Sequence, residues 1–500
     1  MRKLKTFQLL TLLTGLCMIM TGTSCSSDEP QGGGNELTYT QLAKADIQNA
    51  SALILYDNDG SRASGEEFIR PGLYKIGPDG KISMVAIYCS TDEDGNKIET
   101  EHTLSVRPTG IRSCSKNYSL LLNCQYYDED GSIASGAEYI LLNNSTGDIY
   151  DLSEVMKFYA NFVALDNTSP IINEMSDGSL LVYSPDVRAT AGRITLTGRK
   201  ATFTQINNGQ GFCGGETGCA SIHITPSNLI FSAAPGLASD MGVIFPNGGY
   251  DYMASHTVPA LSGIKTVYQQ PEASANGNYK GFIWLNDSPV ALVRESYYTR
   301  NEANESFIEN FIGIIRINVG NQSGQVTFTE GTSQHIFTKW SETTIYNACA
   351  IGDNLLVEIS NYSDDNQTGR AYLVYNSHTD KWTDMGAPIK IIGNNGNRGI
   401  SPMSIFNDRA WIVDIPEGAN GGKVWWIDPD KQQTGRVDVD LAGVDIESIE
   451  EDYQTGHFVF RGVRRSDGSN CILTLDLSTG KSEILFSSPN YVNIDLVLLN

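Results

Sequence analysis

The sequence has few of the features that catalysis usually needs. It contains six histidines, and none stands in the H-x-H or H-E-x-x-H spacing of a metal site. No G-x-S-x-G segment supplies the strained turn of a serine nucleophile, and no phosphate-binding glycine-rich loop precedes a helical pattern. The sequence therefore gives no support for an enzyme, a metal or a cofactor, although a fold can still assemble paired carboxylates in space.

Basic residues are also scarce. Lysine and arginine number 35 against 58 aspartates and glutamates, which gives a formal charge of −23. Nucleic acids and anionic lipid headgroups are polyanions, so a protein of this charge repels them. We therefore exclude nucleic acid as a partner, and we expect contact with a membrane only through an anchor.

A long apolar stretch occurs at the N-terminus. It covers residues 7–20 and follows three cations at positions 2, 3 and 5. It is shorter than the roughly 20 apolar residues of a membrane span, and its layout is that of a secretory signal. Small residues at 21–24 then precede Cys25, which resembles a bacterial lipobox. The resemblance implies that residues 1–24 are a signal peptide and that Cys25 is lipidated.

The residues after Cys25 are polar. The segment Ser-Ser-Asp-Glu at 26–29 is similar to the acidic export tag of Bacteroidetes lipoproteins, and a glycine-rich stretch follows at 30–35. We expect residues 25–48 to form a lipidated flexible tether. The resemblance implies an outer-membrane lipoprotein that faces the cell exterior; a periplasm-facing anchor is the alternative.

Seven cysteines remain besides Cys17 and Cys25, and an odd number leaves at least one unpaired within the chain. Cys213 and Cys219 are the best disulfide candidate because they bracket a short glycine-rich loop. An oxidising compartment outside the cytoplasm permits the bond. A metal site needs further ligands nearby, and we find none.

An internal repeat is the strongest signal in the chain. The segment 56–68 aligns with 127–139 at nine identical positions, and an apolar run precedes each copy. Each copy predicts a strand, an acidic loop, a second strand, a turn and a third strand. Echoes of the strand-turn-strand portion recur every 50 to 70 residues or so, at 73–80, 139–147, 193–198, 243–249, 314–324, 372–380, 424–435 and 472–480.

These units predict an all-β fold, a β-propeller of eight blades with four antiparallel strands each, over residues 49–500. Stacking the sheets radially buries faces that one sheet leaves exposed. The first unit begins at its second strand, near Ala52, and a spare strand follows the last unit at 493–499. Pairing the two would close the ring and remove two open edges. Seven blades, or two β-sandwich domains, are the alternatives.

Three acidic loops read D-x-D-G, beginning at Asp57, Asp92 and Asp128. Carboxylates two residues apart can bind Ca²⁺, but these loops lack the further ligands of a full calcium loop. Asp-Gly is also a favoured hairpin turn because glycine accepts positive φ. We therefore interpret the three loops as turns.

Cationic and aromatic residues recur in the loops that join the second and third strands and in those that lead to the next blade. In a propeller these loops meet at one mouth. Together they would suit an anionic, aromatic ligand through charge pairing and cation–π contact. The candidate ligand-binding residues are Arg107, Tyr279, Lys280, Lys339, Trp340, Arg398, Arg464 and Arg465.

The signal, the acidic tag and the repeats together resemble the surface propeller lipoproteins of Bacteroidetes, some of which capture ferric siderophores. The resemblance implies a lipoprotein that binds a small nutrient, best a ferric catecholate siderophore, and passes it to an outer-membrane TonB-dependent transporter. Glycan capture is the close alternative, with aromatic rings stacking on sugars. A propeller-type polysaccharide lyase or glycosidase, or an adhesion and assembly partner, are the other hypotheses.

Overall fold

The computed structural model describes most of the chain beyond the N-terminal region, and all described residues belong to one unit, Thr38–Asn500. The described residues are 42–57, 72–77, 81–91, 97–108, 110–127, 133–153, 155, 171–183, 192–198, 200–206, 221–233, 241–247, 249–252, 258–262, 264–267, 279–321, 325–338, 343–361, 369–386, 404–406, 408–414, 421–452, 457–488 and 493–499. None of the helices within these ranges is long and apolar enough to cross a membrane.

Strands are numbered in chain order and grouped into eight sheets, one for each blade. The first four sheets, each given from its innermost strand outward, are as follows. Blade 1 contains β35 (Asn493–Leu498), β2 (Ala52–Asp57), β3 (Gly72–Ile76) and β4 (Ile82–Met84); blade 2 contains β7 (Gly110–Ser113), β8 (Tyr118–Tyr127), β9 (Ile133–Asn143) and β10 (Ile149–Asp151), with β1 (Leu42–Ala45), β5 (Ala86–Thr91) and β6 (Lys97–Arg107) added; blade 3 contains β11 (Ile171–Glu174), β12 (Leu180–Tyr183), β13 (Gly192–Thr197) and β14 (Lys200–Gln205); blade 4 contains β15 (Ser221–Ile224), β16 (Ile230–Ala233), β17 (Met241–Ile244) and β18 (Tyr250–Tyr252).

The remaining four sheets have four strands each. Blade 5 contains β19 (Tyr279–Leu285), β20 (Ser288–Arg300), β21 (Ser306–Val319) and β22 (Val326–Thr338); blade 6 contains β23 (Ile345–Ile351), β24 (Asn354–Asn361), β25 (Gly369–Asn376) and β26 (Lys381–Asp384); blade 7 contains β27 (Ser404–Phe406), β28 (Arg409–Asp414), β29 (Gly421–Asp428) and β30 (Gln433–Asp440); blade 8 contains β31 (Val444–Asp452), β32 (His457–Arg464), β33 (Asn470–Asp476) and β34 (Ser482–Ser488).

The eight-bladed propeller predicted from the repeats is confirmed, and so is its closure. The spare C-terminal strand β35 pairs antiparallel with β2, from Ala52↔Leu498 to Asp57↔Asn493. The last strand of the chain is therefore the innermost strand of the first blade. Each of the eight sequence echoes begins within the third strand of a blade and continues past the end of that strand. The alternatives of seven blades and of two sandwiches are excluded by this strand order.

Blade 2 departs from the four-stranded pattern. The connection from β4 continues into a β5–β6 hairpin, and β1 pairs with β5, so that this sheet has seven strands. The sequence interpretation placed residues 25–48 in a flexible tether, whereas Leu42–Ala45 form β1 and Ile47 is fully buried. The boundary at residue 49 was therefore too late. A four-residue strand is stable here because β5 supplies its hydrogen-bond partners.

Apolar clusters between neighbouring sheets form the core. The second strands read as near-continuous apolar runs, such as Leu-Leu-Val at 355–357, because both of their faces are covered by adjacent blades. Leu355 and Val357 pack towards blade 5, and Leu356 packs towards Ile412 of blade 7. The adjacent Trp425 and Trp426 face opposite sides of their sheet, because side chains alternate along a strand, and they pack in two different interblade clusters.

Candidate functional site

Two ends of the propeller differ in what their polar residues do. We call the connecting end the one where second strands lead to third strands and where one blade leads to the next. At the opposite end, turn residues bind the neighbouring blade. Asn286 Nδ2 donates to Asp353 Oδ1 at 2.6 Å, and the Ser176 hydroxyl donates to Asn228 Oδ1 at 2.6 Å. These bonds fix blade against blade.

At the connecting end, the second strands of blades 5 to 8 change from apolar to charged. The first charged residues after the apolar runs are Arg294, Glu358, Asp414 and Arg461. Glu358 and Asp414 are 2% and 4% exposed. A buried charge needs partners. We therefore expect polar contacts of these charged residues at the connecting end.

Blade 6 carries the most developed part of this layer. Glu358 on β24 lies opposite Tyr372 on β25, and the Tyr372 hydroxyl donates to Glu358 Oε1 at 3.1 Å. Arg370 Nε lies 3.9 Å from the same oxygen. Burial raises the pKa of Glu358, against the lowering effects of Arg370 and of the tyrosine hydrogen bond. Burial likewise raises the pKa of Tyr372, and the adjacent carboxylate adds to the rise.

Tyr346 completes this cluster from the innermost strand. The register of β23 against β24 shifts between Ile345 and Asn347, which makes Tyr346 the extra residue of a β-bulge. Bulges re-aim side chains and are frequent beside functional sites. The Tyr346 side chain is exposed, and the guanidinium carbon of Arg370 lies 3.3 Å from its ring centre. An accessible aromatic ring is thus backed by a cation, which is in turn beside a buried carboxylate.

A second polar group lies on blade 5. Three carboxylates fasten the segment before β19: Leu261 N–H donates to Glu295 at 2.8 Å, Ser262 N–H to Glu330 at 2.8 Å, and Val267 N–H to Glu309 at 2.7 Å. These three carboxylates have a structural role, because each accepts a hydrogen bond from a backbone N–H.

Two titratable neighbours complete the blade 5 group. His335 Nε2 lies 3.0 Å from Glu309 Oε2, and its ring stacks on Phe311. Burial and the hydrogen bond to Glu295 raise the pKa of Tyr297 to about 12. Both side chains therefore have partners within the blade that support the fastened segment.

The structure places the ligand-binding residues predicted from the sequence in different surroundings. Arg464 and Arg465 lie at the end of β32, where they were expected, but both already have carboxylate partners. Arg464 Nη2 donates to Asp467 Oδ2 at 2.6 Å, and Arg465 Nε lies 3.3 Å from Asp445 Oδ1. The hydrogen bonds from Arg464 hold the pKa of Asp467 well below its usual range. These two cations are therefore tied to their own blade.

Three further candidates are placed by their backbones. Tyr279 and Lys280 begin β19, and Tyr279 pairs with Arg294 in the charged layer. Arg107 ends β6 and pairs with Gln125, near the connecting end of β8. The other predicted site residues lie outside the described residues: Cys25, Cys213, Cys219, Lys339, Trp340 and Arg398. The D-x-D-G loops lie there too, apart from Asp57 at the end of β2.

Sequence reasoning missed Tyr346, Arg370 and Glu358. The signal for Glu358 was the abrupt change from an apolar run to a charge, which recurs in four second strands. Tyr346 gave no such signal, because a bulge is set by strand pairing and not by composition. Among the described residues, no group of three histidine, cysteine or acidic side chains is arranged to hold a metal ion.

Comparison with known proteins gives the fold context. No protein-family model matches this chain, and no curated protein matches it. A protein from Lactobacillus plantarum shares 12% identity over 76% of this chain and 99% of its own, with a TM-score of 0.35. Oligogalacturonate lyase from Vibrio parahaemolyticus shares 7% over 76% and 86%, with a TM-score of 0.35.

A third solved structure is similar at the same level. The β-propeller domain of the Trilobed protease from Pyrococcus furiosus shares 10% identity over 82% of this chain and 94% of its own, with a TM-score of 0.33. Likenesses this distant carry no argument about ligand or reaction. The molecule is a β-propeller protein, and its function has to be argued from its own residues.

Proposed function

We propose that this protein is a cell-surface lipoprotein, anchored through Cys25, that binds a small nutrient ligand at the connecting end and delivers it to an outer-membrane TonB-dependent transporter. The ligand class we propose is a ferric catecholate siderophore. One observation carries the binding proposal: the exposed Tyr346 ring lies against the Arg370 guanidinium on a bulged inner strand. A catecholate offers an aromatic ring for stacking and oxygen anions for the guanidinium.

The pairing of Arg464 and Arg465 changes which residues we expect to contact this ligand. A guanidinium whose donors are already directed at a carboxylate has fewer donors and less positive charge to offer a second anion. Arg370 is better placed, because its Nε lies 3.9 Å from Glu358 Oε1, beyond hydrogen-bonding distance. We therefore assign the main anion contact to Arg370 and a minor role to Arg464 and Arg465.

We propose binding without turnover. Glu358 has the raised pKa that is typical of a general acid, and Tyr372 is its hydrogen-bond partner. Both side chains are nevertheless buried, at 2% and 0% exposure, so they cannot touch a substrate in this conformation. Release of product from a polysaccharide by the purified protein would favour the lyase or glycosidase alternative instead.

Glycan capture is the second candidate, and one observation favours it. Glu358 and Asp414 place two buried carboxylates near the site, and these repel an anionic ligand while they tolerate a neutral sugar. Sugars stack on exposed tyrosines and accept hydrogen bonds from arginine. The two candidates thus share Tyr346 and differ in their dependence on the charge of Arg370.

Tryptophan fluorescence of the full-length protein separates them. The probes are the ferric complex of 2,3-dihydroxybenzoate and a panel of neutral oligosaccharides. For a catecholate ligand we expect saturable binding that weakens about tenfold or more in Arg370→Gln, while Arg464→Gln, the matched control, changes it little. Binding of sugars alone would assign glycan capture. If neither the ferric complex nor any oligosaccharide bound, small-ligand binding of either class would be refuted.

A further inference from the structure

The Tyr346 ring covers a cation that is incompletely bound. The Arg370 side chain is 27% exposed, but its Nη1 atom is buried and has no hydrogen-bond partner among the described residues. The ring of Tyr346, 3.3 Å from the guanidinium carbon, lies over this group. Tyr346 itself is 46% exposed. A solvent-exposed ring therefore covers a donor that lacks an acceptor among the described residues.

Such an arrangement is unusual in a folded protein. A guanidinium has five N–H donors and no acceptor, and buried donors nearly always find a partner. The neighbouring carboxylate does not supply one to Nη1, because Glu358 is nearest to Nε. An orphaned donor of this kind needs an explanation, and a ligand that brings its own acceptor is a simple one.

We propose that Arg370 Nη1 is an oxyanion subsite and that Tyr346 is its removable cover. This inference rests on the proposed binding function and deepens it. The ring turns away from the guanidinium, a ligand oxyanion accepts the hydrogen bond from Nη1, and the displaced ring stacks on the body of the ligand. A charge-assisted hydrogen bond replaces a ring contact, which favours the exchange.

The surrounding charges narrow the ligand class. Glu358 lies on one side of the guanidinium, and Asp414 of blade 7 is close enough to act on Tyr372. A compact polyanion such as phosphate would bring several negative charges close to the Glu358 carboxylate. A ring with one anionic group at its edge, such as a benzoate or a catecholate arm, can place that group at Nη1 and its apolar part against Tyr346.

The cover is tested without any ligand. Phenylglyoxal modifies accessible arginines, and peptide mass spectrometry reports the rate at Arg370. We expect that rate to rise several-fold in Tyr346→Ala, roughly in line with loss of a cation–π contact. Tyr298→Ala is the matched control, since Tyr298 is 41% exposed on blade 5, and the rate at Arg465 is an internal reference. Equal rates at Arg370 in all three proteins would overturn the cover.

The subsite is tested by protection. Benzoate and 2,3-dihydroxybenzoate, both free of iron, should slow modification of Arg370 in the wild-type protein, while neutral benzyl alcohol should not. Absence of protection by either acid would overturn the oxyanion subsite. Arg370→Lys keeps the charge and checks that any loss in Arg370→Gln does not come from misfolding. If both acids protect but the ferric complex binds no more tightly than they do, the subsite stands and the siderophore proposal fails.

Discussion

The Arg370–Glu358 pair should have a measurable coupling energy that appears only when Glu358 is ionised. At 3.9 Å between Nε and Oε1, Coulomb's law with an effective dielectric constant of 20 gives about 4 kcal/mol. The arginine side chain is 27% exposed, and solvent screening should reduce this to about 2 kcal/mol. A double-mutant cycle with Arg370→Gln and Glu358→Gln isolates that term.

The sign of the pH dependence follows from the direction of the shift. Glu358 has a pKa raised above its ordinary value by burial, so its neutral form is the one that the folded state favours. Its contribution to stability is complete below the unfolded pKa of about 4.3 and is lost as pH rises through the folded pKa. Glu358→Gln should therefore gain stability relative to the wild type as the pH rises from 4 to 8.

Urea unfolding at pH 4 and pH 8, followed by far-ultraviolet circular dichroism, checks both statements. We expect Arg370→Gln to lose more stability at pH 8 than at pH 4, because it leaves a buried carboxylate without its cation. In the double variant most of this loss should disappear. Additive losses at pH 8, or an equal coupling at both values, would refute the assignment of Glu358 as a buried, charge-paired acid.

Three further predictions concern stability. Burial alone would raise the pKa of Asp380, but hydrogen bonds, including one from Arg316 of blade 5, hold that pKa below its ordinary value. Asp380→Asn should therefore cost about 1–3 kcal/mol of stability at pH 7. The variant should also lose less stability than the wild type as the pH falls below about 4. Gly435→Ala would put its Cβ 2.3 Å from the Trp426 ring and should cost about 1–3 kcal/mol in urea unfolding. Removal of residues 493–500 takes β35 from β2 and should make blade 1 the first site of limited proteolysis.

Each of these has a result that contradicts it. If Asp380→Asn kept the acid sensitivity of the wild type, the carboxylate would not be the group that titrates. An unchanged stability of Gly435→Ala would mean that the indole moves aside at little cost. Cleavage of the truncated chain first in a blade other than blade 1 would show that closure does not depend on β35.

Much of the fold could be predicted because its signals are periodic. Eight strand-turn-strand echoes repeat the same local chemistry, and a spare strand at the end of the chain matches a missing one at its start. The strand β1 was missed for a physical reason. Leu-Ala-Lys-Ala at 42–45 has little strand propensity of its own, and it is a strand only because β5 offers its edge.

The site was predicted less well because its geometry depends on pairing between strands. The sequence placed cations in loops of the connecting end, yet it did not show which of them were already paired with carboxylates. Arg464 illustrates this: Asp467 stands three residues later in the same turn, and the two form a bidentate pair. The orphaned donor of Arg370 and the bulge at Tyr346 arise only when three strands of blade 6 come together.

The two ends of the propeller differ in how the fold uses some of their polar side chains. At the opposite end, Asn286 and Ser176 bind neighbouring blades and so have their hydrogen-bonding capacity filled by the fold. At the connecting end the apolar packing stops, the second strands become charged, and Arg370 keeps a buried donor without an acceptor among the described residues. A buried donor without an acceptor, which water does not reach, gains most free energy when a ligand supplies an acceptor. The unsatisfied Arg370 donor beside the exposed Tyr346 ring is the physical reason to seek the ligand at the connecting end of blade 6.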